Sequence, residues 1–276
     1  MKKKLLWTAV LLLFTGFVTW FIWSNVSLAL SHYSVESSEI PAAFDGFRMA
    51  LVADLHNTEV GENNSKLLAR VAESQPDIIV IAGDIIDSRT PNVDVALDFV
   101  NAAVEIAPVY YVTGNHEGRI PSEYAILEQG MTEAGVHILR NGTIFLERNG
   151  ESICLAGIDA PHFYDNISDF FQTMPTLCSQ EEYTVLLAHH PEYFDWYAEA
   201  GADLVLSGHV HGGQFRLPFI GGLVAPHKGF FPEYDSGLYE NGGSNLVVSR
   251  GVGDTILPVR FNNRHEVVLV ELRSIN

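Results

Sequence analysis

Asp203-Leu204-Val205-Leu206-Ser207-Gly208-His209-Val210-His211-Gly212-Gly213-Gln214 is a short apolar run that closes on glycine and passes at once into two histidines. Such a run reads as a buried strand feeding a loop. Residues two apart in extended chain project to the same side, so the spacing predicts that His209 and His211 face one point. Imidazole nitrogen is the commonest protein metal donor, although a lone His-x-His pair reads as surface. This pair has company. Other strand-like runs end in Asp54-Leu55-His56, Gly83-Asp84, Gly114-Asn115-His116-Glu117 and His189-His190-Pro191.

Each cluster follows a run that looks like a strand. Phe47 to Ala53 leads to Asp54, the β-branched Ile78 to Ala82 to Gly83-Asp84, and Val109 to Val112 to Asn115. Between them lie helical spacings, at Leu67, Leu68, Val71 and Ala72 and again from Val93 to Val104, the second with Thr90-Pro91 as its expected start. Ser122 is expected to cap the next helix and Gly135 to end it. Strand, donor loop, helix is an α/β order, and ligands in such sheets collect beyond the carboxyl ends of the strands. Further strands are expected over 143–147, 153–158, 184–188, 203–206, 245–249 and 266–272. These are too many for one small sheet, so the prediction is two packed mixed sheets flanked by helices, a four-layer α/β/β/α sandwich.

The chain has 276 residues, 47% hydrophobic and 18% charged, with a net charge of −18. There is enough apolar material for a core, and the charge argues against nucleic-acid binding, which needs a basic footprint. Bound divalent cations would still admit an anionic substrate. Cys154 sits in an apolar run and reads as a buried thiol; a Cys154–Cys178 disulfide cannot be read from sequence. Lys2 to Lys4 precede Leu5 to Trp23, an uncharged stretch with tryptophans near its ends. About 19 residues at ~1.5 Å each span the hydrocarbon core of a bilayer. A cleavable signal peptide, cut after Ser27-Leu28-Ala29, is the competing reading. The length of the run favours an uncleaved transmembrane anchor, and the lysines keep the N-terminus cytoplasmic. The expected organisation is residues 1–4 inside, 5–23 spanning, 24–44 a linker and edge strand, and 45–276 an extracytoplasmic domain of a single-pass cell-membrane protein.

The assembled donors are Asp54, His56, Asp84, Asn115, His189, His209 and His211. Asp54 and His56 share a face by the same two-residue reasoning, and Asp84 has two carboxylate oxygens with which to bridge two cations. Mixed N and O donors without thiolate suit Mn, Fe, Zn, Co or Mg. In this order the motifs resemble those of the calcineurin-like metallophosphoesterase superfamily. The tail Gly212-Gly213-Gln214, Ser249-Arg250-Gly251-Val252-Gly253 and Pro258-Val259-Arg260-Phe261 is similar to its membrane-anchored bacterial phosphodiesterase branch.

The resemblance implies a dinuclear centre, one ion held by Asp54, His56, Asp84 and His211, the other by Asp84, Asn115, His189 and His209. A metal-activated hydroxide would attack a phosphate ester, with a diester as the expected substrate, and His116 would touch phosphate and leaving group as general acid. The family pattern selects His189 over His190, and adjacent strand residues point to opposite faces. Glu117 is either an orienting carboxylate or a solvated loop acid. Arg119, Lys228 and Arg250 are candidate phosphate contacts, each with a surface reading beside it; Asn57 reads as a loop cap. His137, His162, His227 and His265 read as surface or packing histidines. Other readings are a phosphomonoesterase, a pyrophosphatase on a lipid-linked nucleotide, and a non-catalytic metal-bound extracytoplasmic binding module. A membrane tether directs attention to lipid head groups or envelope polymers as substrate.

Overall fold

The computed structural model describes residues 2–178, 181–225, 229–254 and 258–275. One six-stranded sheet holds β1 (Leu28–Ser37), β2 (Arg48–Val52), β3 (Ile78–Ala82), β4 (Val109–Val112), β5 (His137–Ile138) and β16 (His265–Ser274), in the order β1-β16-β2-β3-β4-β5. The other holds β6 (Gly142–Arg148), β7 (Glu151–Ile158), β8 (Thr184–Ala188), β9 (Leu204–Ser207), β14 (Gly237–Asn241) and β15 (Ser244–Val248), ordered β14-β15-β9-β8-β7-β6. Short hairpins β10 (Arg216–Leu217) with β11 (Gly221–Gly222), and β12 (Val224–Ala225) with β13 (Gly229–Phe230), lie between β9 and β14. The helices are α1 (Lys2–Val26), α2 (Ser65–Glu73), α3 (Val93–Ala103), α4 (Asn115–Arg119), α5 (Pro121–Glu133), α6 (Ile167–Cys178) and α7 (Phe194–Glu199).

Strand alternation sorts the side chains into layers. Met49, Leu51, Val80 and Ala82 face inward to meet Val185, Leu187, Leu204 and Leu206 of the opposite sheet. Their neighbours Ala50, Val52, Ile79 and Ile81 face outward onto Leu67, Val71, Phe99, Val100 and Leu127 of α2, α3 and α5. On the far side Leu186, Ala188 and Val205 meet Phe170, Met174 and Tyr197 of α6 and α7. Three apolar seams thus separate four layers. Fully burying such a leucine or phenylalanine is worth roughly 1.5–3 kcal/mol by area, and doubly covered parallel strands account for the unbroken apolar runs.

Two expected helix starts are displaced. α3 begins at Val93 behind Asn92, not at Thr90-Pro91, and Ser122 lies inside α5, whose first residue is Pro121. Asn92 has extended backbone at the N-cap position but makes no side-chain capping bond, and proline itself favours the first helical position. Gly135 follows α5 as expected, at φ 89°.

The edge strand expected between 24 and 44 is present, and it is no tether. β1 pairs in parallel with β16 along its whole length, and only Ser27 separates it from α1. Among the described residues one helix, α1, is long and apolar enough to cross a membrane, and it joins the sheet without slack.

Candidate metal centre

The donor loops all leave the carboxyl ends of parallel strands. β2 delivers Asp54 and His56, β3 Asp84, β4 Asn115, β8 His189 and His190, and β9 His209 and His211. The chain turns sharply as it leaves the sheet. Asp54, His56, Asp84, His209 and His211 all have φ between 47° and 75°, a left-handed conformation that costs an L-residue roughly 1–2 kcal/mol. Strain of this kind concentrates at functional sites. It also corrects the expectation from strand alternation: neither pair sits in extended chain, and His209 and His211 diverge to neighbouring points.

Close backbone approach makes room for the side chains. A Cβ on Gly83 would fall 2.6 Å from Gly114, and a Cβ on Gly114 would fall 2.2 Å from Asp84 Oδ1. Only glycine lets these two loops touch.

His211 gathers with His56 and Asp54: the two Nε2 atoms are 3.1 Å apart, and His211 Nε2 is 3.5 Å from Asp54 Oδ1. His209 gathers with His189 and His190, its Nδ1 3.2 Å from His189 Nε2. Asp84 lies between the groups, with Oδ2 3.2 Å from His189 Nε2 and 3.7 Å from His56 Nε2. Asn115 Oδ1 is buried and has no hydrogen-bond partner among the described residues. A buried acceptor normally has one, so this amide oxygen, together with convergent ring nitrogens, fits a hard-to-borderline divalent cation.

The electrostatics agree with that donor chemistry. Burial holds His56 down at about 3 and His209 and His211 well below the usual histidine range, so each presents a neutral ring. Burial likewise lifts Asp54 to about 7. For Asp84 burial also acts upward, but the charge and hydrogen bond of His189 outweigh it and hold the carboxyl well below its usual value. His189 donates from Nδ1 to Ala82 O at 2.7 Å, which aims Nε2 into the site. Burial opposes its protonation, yet Asp84 and Asp54 push it up to about 10, so an arriving cation competes with a proton there.

His190 departs from expectation. β8 ends at Ala188, so strand alternation no longer applies, and the His190 ring packs 4.1 Å from that of His209. Its Nδ1 meets Glu192 Oε1 at 3.0 Å, while Nε2 is buried without a partner among the described residues.

Glu117 is not a solvated acid. It is fully buried and accepts backbone N–H groups from Asp84, Ile85 and Gly114 at 2.8–3.0 Å, with Ile86 at 3.3 Å. Burial and then the charge of Asp84 push its carboxyl up to about 8, against those donors. It ties the Asp84 loop to the Asn115 loop.

His116 stands beside the first group, its ring 4.4 Å from that of His56, and its Nδ1 accepts from Ser88 N–H at 3.0 Å. Asp87 Oδ1 lies 3.4 Å from the same nitrogen. Asp87 is the residue that sequence reading missed, although Gly83-Asp84-x-x-Asp87 was the signal for it.

Two of the candidate cations lie among the described residues. Arg250 pairs with buried Glu266 through Nη2 at 2.5 Å, and Arg119 is exposed at the end of α4, its charge felt by His116 and His162. Lys228 and His227 lie outside the described residues. Asn57 ties a loop, donating to Thr90 O at 2.7 Å and accepting from Asp87 N–H at 3.3 Å. His162 is exposed and stacks its ring 6.3 Å from that of His190, and partial burial lowers it to about 4. His137 stacks on Tyr110, and His265 is buried against Val252 O. Cys154 and Cys178 are buried free thiols, raised by burial to about 11 and about 12.

Residues 47–213 match the family model for calcineurin-like phosphoesterases. The chain is 32% identical over 89% of its length to the metallophosphoesterase YkuE of Bacillus subtilis, covering 86% of that protein. It is 28% identical over 82% to the phosphodiesterase YaeI of Escherichia coli, again covering 82% of it. A transmembrane protein with a metallophosphoesterase domain from Danio rerio is 30% identical over 86% of this chain, which spans 55% of the fish protein. Among solved structures, TT1561 of Thermus thermophilus shares the fold, with a TM-score of 0.50 at 14% identity over 75% of this chain and 92% of that one. The chain belongs to the calcineurin-like phosphoesterase family and is a metallophosphoesterase, a hydrolase of phosphoric esters.

Proposed function

We propose that the chain is a phosphodiesterase working through two divalent cations. Asp54, His56, Asp84 and His211 would hold one, Asp84, Asn115, His189 and His209 the other, with Asp84 shared. The observation that carries this is the pairing of two convergent nitrogen groups, at 3.1 and 3.2 Å, around a common carboxylate and an unsatisfied amide oxygen. Bound cations would lower the pKa of water and neutralise charge on the phosphoryl oxygens.

The chain's own residues do the rest. Glu117 fixes the loops that carry Asp84 and Asn115, and Ala82 O sets the tautomer of His189. His116 supplies a proton to the departing alkoxide. The diester preference is supported by the relative named a phosphodiesterase. Parallel assays with Mn, Zn and Mg on a diester, a monoester and a pyrophosphate test it: fastest turnover is expected on the diester, and a faster monoester or pyrophosphate would overturn that preference.

The α1 lysines favour a cytoplasmic N-terminus with the domain outside the cell membrane. Protease added to intact spheroplasts should then degrade the domain. Protection until lysis would reverse the orientation.

A further inference from the structure

The two short hairpins between Gln214 and Tyr234 leave the metal centre and turn large apolar residues to solvent. Phe219 at the tip of the β10–β11 hairpin is fully exposed, Ile220 59%, Phe230 77% and Phe231 63%. Phe219 and Phe231 also have φ of 69° and 57°, unusual for bulky residues. Strained backbone that holds aromatics away from the core gains nothing from the chain itself.

What lies beside this hairpin identifies its partner. Phe215, at its root, bridges to Phe261, and Arg216 N–H donates to Phe261 O at 2.9 Å. The Phe261 ring packs 4.8 Å from Trp20 and 6.2 Å from Phe17, both within the spanning stretch of α1. The apolar excursion is thus continuous with the surface of the span.

A second feature sits at the end of the same helix. A cavity of about 580 Å³ is lined by Trp23, Lys66, Arg70 and Arg264, the last with its guanidinium 4.5 Å over the Trp23 ring. Lys66, Arg70 and Arg264 gather there against a single acid, Glu73, which pairs with Arg70. On a chain of net charge −18, that cationic excess complements the phosphates of anionic lipid where tryptophan marks the membrane interface.

We propose that the Phe219–Ile220 hairpin and the Lys66–Arg70–Arg264 cavity form one docking face that seats the domain on the bilayer beside α1, the apolar tip below the head groups and the cavity on their phosphates. The hairpin is rooted at the centre: Gly222 packs on Gly213, two residues past His211, and Asn263 Nδ2 donates to His211 O at 2.7 Å. Docking therefore sets the mouth of the site at head-group level, within reach of lipid-borne phosphoesters. The docking itself takes α1 as the span and is independent of the reaction catalysed.

The test places a bimane label on the full-length protein in phosphatidylcholine–phosphatidylglycerol vesicles, at Ile220→Cys, Ala69→Cys, Leu12→Cys or Ile126→Cys in turn. Quenching is read with nitroxide on the head group or on the upper acyl chain. Ile220 should be quenched at least twofold by the acyl nitroxide and Ala69 by the head-group nitroxide, with Ile126 on α5 quenched by neither. Leu12 reports the span. Deep quenching at Leu12 with Ile220 and Ala69 no more quenched than Ile126 overturns the docking and leaves the span standing. Quenching at only one of the two overturns the single face, and no quenching at Leu12 overturns the span on which the inference rests.

Discussion

His116 accepts a backbone N–H at Nδ1, which puts the proton of the neutral ring on Nε2. Burial lowers its pKa, with Asp84 and Asp87 pulling the other way. To serve as an acid it must first become imidazolium; protonating Nδ1 gives up the bond from Ser88 N–H, and Asp87 Oδ1, 3.4 Å from that nitrogen, is placed to accept from it instead. His116→Ala should therefore lose roughly 10²–10⁴-fold on an alkyl diester and far less on a nitrophenyl diester, whose leaving group needs no proton. Asp87→Asn should follow in the same direction with a smaller loss. Equal losses on both substrates, with metal content unchanged, would make His116 a positioning or electrostatic residue. Asp87 was within reach of sequence reading at three residues from Asp84. The arrangement of the donors was not, because left-handed backbone at Asp54, His56, Asp84, His209 and His211 replaces the strand alternation on which periodicity relies.

Strands β8, β9 and β15 are pinned at their amino ends by Asp203, whose carboxylate accepts Thr184 N–H at 2.6 Å and whose carbonyl accepts Asn245 N–H at 2.8 Å. Burial, reinforced by Glu39, raises the Asp203 carboxyl to about 6, from about 3.9 in an unfolded chain. Between those values the folded state holds a proton that the unfolded state has lost, so the contribution of Asp203 to stability falls as pH rises through about 4 to 6. Asp203→Asn should remove that fall: measured by thermal melts, the variant gains stability relative to the wild type across this window. A difference that stays constant with pH would refute the assignment. At this scale the buried strands were plainest in the sequence, since double coverage demands unbroken apolar runs such as Ile78–Ala82. Helix α6 was not read, because Pro175 interrupts a pattern that Phe170, Met174, Leu177 and Cys178 otherwise carry. Strand β14 is largely exposed and carries no clean apolar alternation.

Across the whole molecule the centre straddles the two sheets. Asp54, His56, Asp84 and Asn115 come from the sheet of β2, β3 and β4, whereas His189, His209 and His211 come from the sheet of β8 and β9. That division was invisible in the sequence, where all the loops look alike; sheet membership depends on pairings between distant strands. It makes the proposed cations a staple between layers, so their binding should stabilise the fold by mass action. The direct test is metal analysis with thermal melting of the wild type and Asp84→Asn, with and without chelator. About two divalent ions per chain, the number the proposed donor sets would hold, and a melting temperature that drops on chelation are expected for the wild type. Asp84→Asn should lose affinity for both ions and melt near the chelated value in either condition. Two tightly held ions in Asp84→Asn, or a wild type that binds none and melts unchanged, would contradict a dinuclear centre shared through Asp84.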